Sequence, residues 1–112
     1  MDLDSIFKAL ADPTRRHLLE ELDERDGQTL FELTVRLVSW HDAAPSRQAL
    51  SKHLHILEEA GLIRTEWKWR SKHHFLERAP LQRLWQIWLR PLSEPSAKGE
   101  THENRSDQRA GG

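Results

Sequence analysis

Apolar side chains recur at helical spacing in the first part of the chain. Four of them share one stripe of a predicted first helix: Leu3, Ile6, Phe7 and Leu10. A second helix is predicted to begin at Pro13, because proline suits the first helical turn and Asp12 can accept hydrogen bonds from the N–H groups there. It is expected to end before Gly27, and its inward stripe is Leu18, Leu19 and Leu22.

Two further helices are predicted from their capping residues. Thr29 and Glu32 form a capping box for a third helix, with inward residues Leu30, Leu33, Leu37 and Val38. Ser46 is the predicted N-cap of a fourth helix that runs to Ala60, with inward residues Leu50, Leu54 and Leu57. Residues 38–45 between them are predicted to form a turn, because Pro45 blocks continuation of the helix.

The remaining apolar residues predict a hairpin and a terminal helix. Residues 62–68 alternate in the manner of a half-buried strand, and residues 72–77 are its predicted partner. The connection at 69–71 lacks glycine, so a loose turn is expected. One long helical stripe follows Pro80: Leu81, Leu84, Trp85, Trp88, Leu89 and Leu92. Residues 1–92 are thus predicted to form one domain, and residues 93–112 a disordered polar tail.

Composition narrows the classes of function. The 112 residues include no cysteine, so disulfide frameworks and thiolate metal sites are excluded. No apolar run approaches the roughly 18 residues of a membrane span, and a cytoplasmic location without membrane contact is expected. No Gly-rich phosphate loop or nucleophile motif is present, so the sequence predicts neither an enzyme nor a bound cofactor.

Charge is distributed unevenly although the net charge is only -1. Residues 46–76 carry six Lys and Arg against three Asp and Glu, together with four His. This basic middle segment contains the fourth helix and the hairpin, and it indicates an electrostatic footprint for an anionic partner.

The order of elements predicts a mainly α (α+β) winged helix-turn-helix fold, with about five helices and a two-stranded β wing. The fourth helix has a polar face that the core does not need: Arg47, Gln48, Ser51, Lys52 and His55. Arginine can donate two hydrogen bonds to guanine and glutamine can pair likewise with adenine, while lysine and the wing residues Arg70 and Lys72 suit phosphates. An ordinary solvated helix face is the alternative interpretation.

Two segments identify a family resemblance. The stretches FKALADPTRRHLLEEL at 7–22 and SRQALSKHLHILEEAGLI at 46–63 resemble the ArsR/SmtB-type bacterial transcriptional repressors. The resemblance implies a homodimer built from the first and last helices, which binds an inverted repeat in double-stranded DNA. It also implies a DNA-recognition segment that includes Ser46, Arg47, Gln48, Ser51, Lys52 and His53. For His53, a structural hydrogen bond within the protein is the alternative.

The dimer also follows from the apolar stripes. Leaving both of them in water would be costly, since burial of one Leu or Trp contributes on the order of 1.5–3 kcal/mol. The predicted interface residues are Leu3, Ile6, Phe7, Leu10, Leu81, Leu84, Trp85, Trp88 and Leu89. A two-fold dimer would place its recognition helices about 34 Å apart, which predicts a palindromic operator.

The sequence departs from the family at its metal sites. Thr34 and Arg36 stand where many relatives carry a Cys-x-Cys pair, and residues 80–92 lack the Asp, His and Glu of the family's other site. His41 and Asp42 are too few ligands for a zinc site, so no metal is predicted. The sequence does not identify an effector. A winged-helix module that binds protein through Trp67 and Trp69 is the alternative function.

Overall fold

A computed structural model describes residues 2–41 and 45–95 of the chain. Its elements, in chain order, are α1 (Leu3–Leu10), α2 (Pro13–Glu24), β1 (Gln28–Thr29), α3 (Leu30–His41), α4 (Arg47–Glu59), β2 (Ile63–Lys68), β3 (Ser71–Leu76), α5 (Ala79–Leu84), a π-helical turn (Trp85–Leu89) and α6 (Arg90–Ser93). The chain divides into two compact units, Met1–Pro80 and Leu81–Gly112. The predicted winged helix-turn-helix fold is confirmed, with α3 and α4 as the helix pair and the β2–β3 hairpin as the wing.

The helices of the first unit begin where their capping residues predict. Asp12 accepts hydrogen bonds at 2.8 and 3.3 Å from the N–H groups two and three residues further on. Ser46 Oγ accepts one at 3.0 Å from the N–H group of Ala49. At α3 the capping box is reciprocal, since Thr29 N–H donates to Glu32 at 2.9 Å and Glu32 N–H donates to Thr29 at 3.2 Å. Each cap contributes about 1 kcal/mol to stability.

Leucine side chains of α2, α3 and α4 form the core of the first unit. Six are fully buried: Leu18, Leu22, Leu33, Leu37, Leu50 and Leu57. All six belong to the apolar stripes read from the sequence, so these stripes are confirmed. Burial of each such side chain contributes about 1.5–3 kcal/mol. The leucines therefore fix α4 from behind and leave its opposite face to solvent.

The third helix is longer than predicted. It continues through Val38 to His41, across half of the segment that was expected to be a turn. Val38 was predicted to face inward but is 52% exposed. Helical hydrogen bonding persists here because no proline interrupts the chain before Pro45. Of the rest of the predicted turn, residues 42–44 lie outside the described residues and Pro45 directly precedes the N-cap Ser46.

The sheet has one strand more than predicted. Its order is β1-β3-β2, and both pairs are antiparallel. The extra strand, β1, pairs Gln28 with His74 and Thr29 with His73. This short strand joins the start of α3 to the wing, so the wing is held on the same body as the helix-turn-helix pair.

The turn at the wing tip is tight, and the prediction of a loose turn is wrong. Lys68 pairs with Ser71, so only Trp69 and Arg70 connect the two strands. Trp69 adopts a φ of 62°, the left-handed conformation that two-residue hairpins require at their first loop position. A residue with a side chain adopts it at a cost of about 1–2 kcal/mol, which glycine avoids.

The terminal helical segment is not one regular α-helix. The backbone N–H of Arg90 donates to the carbonyl of Trp85, five residues earlier, so the middle of the segment is a π turn. Pro91 supplies the physical reason, because its ring has no N–H to donate and would clash with the carbonyl four residues earlier in a regular α-helix. The helix extends to Ser93, and residues 96–112 of the predicted tail lie outside the described residues.

None of the helices described is long and apolar enough to cross a membrane.

Candidate functional site

The outward face of α4 carries the polar side chains that the sequence assigned to it. Arg47, Gln48, Ser51 and Lys52 are all exposed, whereas Leu50 between them is fully buried. The first turn of α4 is therefore available to an external partner. The capping residue Ser46 is also exposed, and its Oγ accepts the hydrogen bond that begins the helix.

A groove of about 440 Å³ lies between α4, the start of α3 and the wing. We call it the wing groove, and the residues that line it are Thr29, Leu30, Phe31, Arg47, Ser51, Leu54, His55, Glu58, Trp67, Arg70, Ser71, Lys72 and His74. Five of these were predicted to contact DNA: Arg47, Ser51, His55, Arg70 and Lys72. The fold thus brings together side chains that lie up to 25 residues apart in the sequence.

Positive charge prevails along the wing groove. The guanidinium groups of Arg47 and Arg70 and the ammonium group of Lys72 line it, and all three side chains are exposed. The acidic lining residue, Glu58, accepts a hydrogen bond from Thr65 Oγ1 at 3.1 Å. His55 lies 3.7 Å from Glu59 on the same helix. A polyanion would therefore find several cationic donors on both walls.

Two aromatic side chains in the wing groove were missed as candidates for DNA contact. Phe31 follows the first residue of α3 and is 72% exposed, and Trp67 on β2 is 67% exposed. Trp67 lies opposite Lys72 in the hairpin, so the two side chains project from the same face of the wing. Strand alternation puts Trp67 on the same face as Thr65 and Ile63, and this alternation is the signal that could have placed Trp67 in the groove.

His53 makes a hydrogen bond within the protein, the alternative that the sequence offered for this residue. Arg15 Nη1 lies 3.0 Å from His53 Nδ1. Because a guanidinium group only donates, His53 Nδ1 accepts this hydrogen bond. Arg15 also donates to the carbonyl oxygens of Ala9 at 2.8 Å and Lys8 at 3.1 Å. His53 therefore connects α4 to the end of α1 and the start of α2, and it does not line the wing groove.

Three other polar residues of the middle segment do not line the wing groove: Arg64, Gln48 and Lys52. Arg64 Nε lies 3.0 Å from Glu77, a second nitrogen of Arg64 pairs with Glu66, and the guanidinium lies 4.5 Å from the ring centre of Phe75. Its charge is therefore largely balanced within the wing. Gln48 and Lys52 are exposed on α4 but do not line the wing groove.

His74 lies at the inner end of the wing groove and is 4% exposed. Its Nδ1 lies 2.9 Å from the carbonyl oxygen of Gln28, so Nδ1–H donates and the sheet holds the ring in place. Burial lowers the pKa of His74 below its usual value of 6.5 and outweighs the opposing effect of this hydrogen bond. The folded protein therefore disfavours the charged form of the ring.

This burial predicts a pH dependence of stability. The unfolded chain binds a proton to His74 near pH 6.5 and the folded chain only at lower pH. The free energy of unfolding should therefore be unaffected by His74 above about pH 6.5 and should fall as the pH drops below that value. Urea unfolding between about pH 5 and 7 measures this slope, and we expect His74→Gln to flatten it. An unchanged slope in that variant would contradict the assignment.

The residues proposed for a dimer interface differ in exposure. Ile6 and Leu84 are buried, 0% and 3% exposed, so neither offers surface to a second chain. Leu3, Leu10 and Leu81 are half-buried. The exposed members are Phe7, Trp85, Trp88 and Leu89. The structure thus reduces the predicted set to residues that retain accessible apolar surface.

No metal site was predicted, and the described histidines have other contacts. Across residues 2–41 and 45–95, no three His, Asp or Glu side chains come together as potential metal ligands. His73 Nδ1 lies 2.8 Å from the carbonyl oxygen of Gly27, and His74 contacts that of Gln28. Asp42 and the side chain of His41, the weak zinc candidates of the sequence, lie outside the described residues.

Comparison with known proteins finds relatives that share these elements. A family model described as a helix-turn-helix domain matches residues 10–66, which run from the end of α1 into β2. The chain is 45% identical over 86 residues to the uncharacterized HTH-type transcriptional regulator YuzN of Bacillus subtilis (strain 168). That match covers 77% of this chain and 94% of YuzN.

The chain is also similar to solved structures of ArsR-type transcriptional regulators. The ArsR family transcriptional regulator RHA00566 is 33% identical with a TM-score of 0.67, over 81% of this chain and 86% of that chain. An ArsR-like transcriptional regulator from Rhodococcus sp. RHA1 is 31% identical with a TM-score of 0.62, over 90% of this chain and 92% of that chain.

Proposed function

We propose, from the premise that this chain belongs to the ArsR-type family of winged helix-turn-helix transcriptional regulators, that it is a cytoplasmic homodimeric repressor that binds an inverted-repeat operator. DNA binding in the control of transcription, and the absence of an enzyme activity, follow from membership of the family. The dimer, the repression and the symmetry of the operator are the parts that the proposal adds.

The wing groove is the observation that supports the proposal most directly. Its walls carry Arg47 on α4 and Arg70 and Lys72 on the wing, around a cavity of about 440 Å³. A recognition helix lies in the major groove of DNA, and the wing reaches the neighbouring backbone or minor groove. The sugar-phosphate backbone between those two grooves would pass through the wing groove, where Arg70 and Lys72 would contact phosphates and Phe31 and Trp67 would pack on sugars. Arg47, on the α4 side, would reach past the backbone to base edges in the major groove.

Each DNA-facing side chain then has a separate role. Arg47 and Gln48 lie in the first turn of α4 and would read base edges, since recognition helices direct their N-terminal residues to the bases. Lys52, Arg70 and Lys72 would bind phosphates, which fix the register without reading sequence. Ser51 and His55 lie one and two turns along α4 from Arg47 and would contact the same backbone.

Exposed apolar surface supports the dimer. Phe7 on α1 is 37% exposed, and three residues of the terminal helical segment also retain accessible apolar surface: Trp85, Trp88 and Leu89. A second copy of the chain could cover the apolar residues of α1 and those of the terminal segment, each by itself. Two-fold symmetry would then place two copies of α4 about one turn of DNA apart, roughly 34 Å.

A protein-binding module is the second candidate function. Phe31, Trp67 and Trp69 are all more than half exposed, and aromatic side chains are common anchors of protein interfaces. The two candidates differ in their response to salt. Binding through phosphates weakens steeply as salt rises, whereas an interface anchored by aromatic side chains depends little on it.

Selection of bound sequences from a random duplex pool, followed by a salt titration on the selected duplex, tests the proposal. We expect an inverted repeat bound by two chains. Three phosphate-binding cations on each chain predict a slope of about -5 for the logarithm of the binding constant against the logarithm of salt concentration. A promoter that carries the selected site should be repressed by the protein. No enriched sequence, or a slope near zero, would contradict the proposal.

A further inference from the structure

Trp69 at the wing tip is the most exposed aromatic residue among those described. Its side chain is 95% exposed, compared with 67% for Trp40 and Trp67. It also adopts the left-handed backbone conformation, with a φ of 62°, which favours glycine. Two features therefore disfavour an indole at this position in the free protein: its apolar surface is exposed to water, and its backbone adopts a strained conformation.

The fold of the chain does not account for this tryptophan. With 95% of its surface in solvent, the side chain adds almost no packing to the wing. Glycine would form the same turn without strain, because it is the residue preferred at the first position of such loops. Strained residues that add no stability to the fold concentrate at sites of function. The interaction that compensates for the strain of Trp69 is therefore expected in a complex.

The surroundings of Trp69 indicate what it contacts. Lys68 and Arg70 flank it in sequence, and Lys72 follows on β3. Lys72 and Arg70 also line the wing groove, so the tip is continuous with the surface proposed to hold the DNA backbone. An apolar ring with cationic sequence neighbours suits the edge of a duplex, where phosphates lie beside stacked bases.

We infer that Trp69 is an apolar wedge that inserts from the wing into the minor groove beside the bases read by α4. This inference rests on the proposed function. Insertion of an apolar side chain partly unstacks one base step and bends the duplex toward the major groove. Pyrimidine–purine steps unstack most readily, so Trp69 makes the protein selective for such a step at a fixed distance from each half-site.

The selected duplex, labelled at both ends for energy transfer and carrying 2-aminopurine at the flanking step, tests this wedge. We expect wild-type protein to bend the duplex and to raise the 2-aminopurine fluorescence. Trp69→Gly should bind about tenfold more weakly, lose the bend and leave the fluorescence low. Its stability should equal or exceed that of the wild type, because glycine relieves the turn.

Matched variants separate the possible outcomes. Trp69→Phe should keep most of the affinity and the bend, and Trp40→Ala, which removes an exposed tryptophan on α3, should match the wild type. Equal affinity and bending by Trp69→Gly and wild-type protein would overturn the wedge while leaving the proposed function intact. Weaker binding with an unchanged bend and fluorescence would also overturn it, since Trp69 would then contact only the backbone. Failure of the wild type to bind any duplex would overturn the proposed function itself.

Discussion

Replacement of Trp85 by glutamate should convert the protein from dimers to monomers. Trp85 is 49% exposed in the single chain and belongs to the apolar set proposed to meet a second copy. Two-fold symmetry would bring two new carboxylates into the same apolar interface, where unpaired charges are strongly disfavoured. Monomers would also lose the joint binding of two half-sites, so the affinity for the operator should fall by orders of magnitude.

Sedimentation velocity at micromolar concentration measures the first effect and gel-shift titration the second. Gln86→Glu is the matched control, because it adds the same charge one residue away at an exposed position that is already polar. We expect this control to remain dimeric. If Trp85→Glu sediments as a dimer with native helix content, the terminal segment is not the interface.

Truncation of Arg47 to alanine should weaken binding to the operator by about 1–3 kcal/mol and relax the preference at one base pair. Arg47 lies in the first turn of α4, from which a bidentate contact with guanine in the major groove is available to it. The loss should be largest on the matched sequence and small on a duplex changed at that base pair. Titration of both duplexes with both proteins gives the comparison.

Lys52→Ala provides the contrast, because a phosphate contact carries no sequence information. Its affinity should fall equally on matched and changed duplexes, and its salt slope should decrease by about 1. Arg78→Ala is the neutral control, since Arg78 pairs with Asp23 at 2.8 Å and does not line the wing groove. Equal losses on both duplexes for Arg47→Ala would assign that residue to the backbone rather than to a base.

The starts of the helices were predictable because capping is local. Asp12, Ser46 and the pair Thr29 and Glu32 act on N–H groups two or three residues away, and a short stretch of sequence contains everything they need. The leucine stripes were predictable for a similar reason, since helical periodicity identifies the buried face before any partner helix is known.

The elements that escaped prediction depend on distant residues. Strand β1 consists of Gln28 and Thr29, and it exists only because β3 pairs with it some 45 residues later. The tight wing turn forms because the pairing of Lys68 with Ser71 leaves only two residues for the turn. This pairing overrides the backbone preference of Trp69. The π turn follows from Pro91, which the apolar periodicity on either side concealed.

The sequence predicted the cationic residues of the candidate site but not all of the residues that line the wing groove. Residue types, their positions on the predicted elements and the family resemblance together identified Arg47 and the cations of the wing. Phe31 joined them only after folding, because β1 brings the start of α3 against the hairpin. His53 was included in the predicted site and does not line the wing groove. Its position in the sequence beside the recognition residues did not indicate its hydrogen bond with Arg15 on another helix.

The three hydrogen bonds of Arg15 have a consequence for how this regulator can respond to a signal. One guanidinium group joins the last carbonyls of α1 to the ring of His53 on α4, so these helices change orientation together. A small tilt of the N-terminal helix would alter the angle at which α4 enters DNA. Control of the gene could therefore originate at α1, with every side chain proposed to read bases left unchanged.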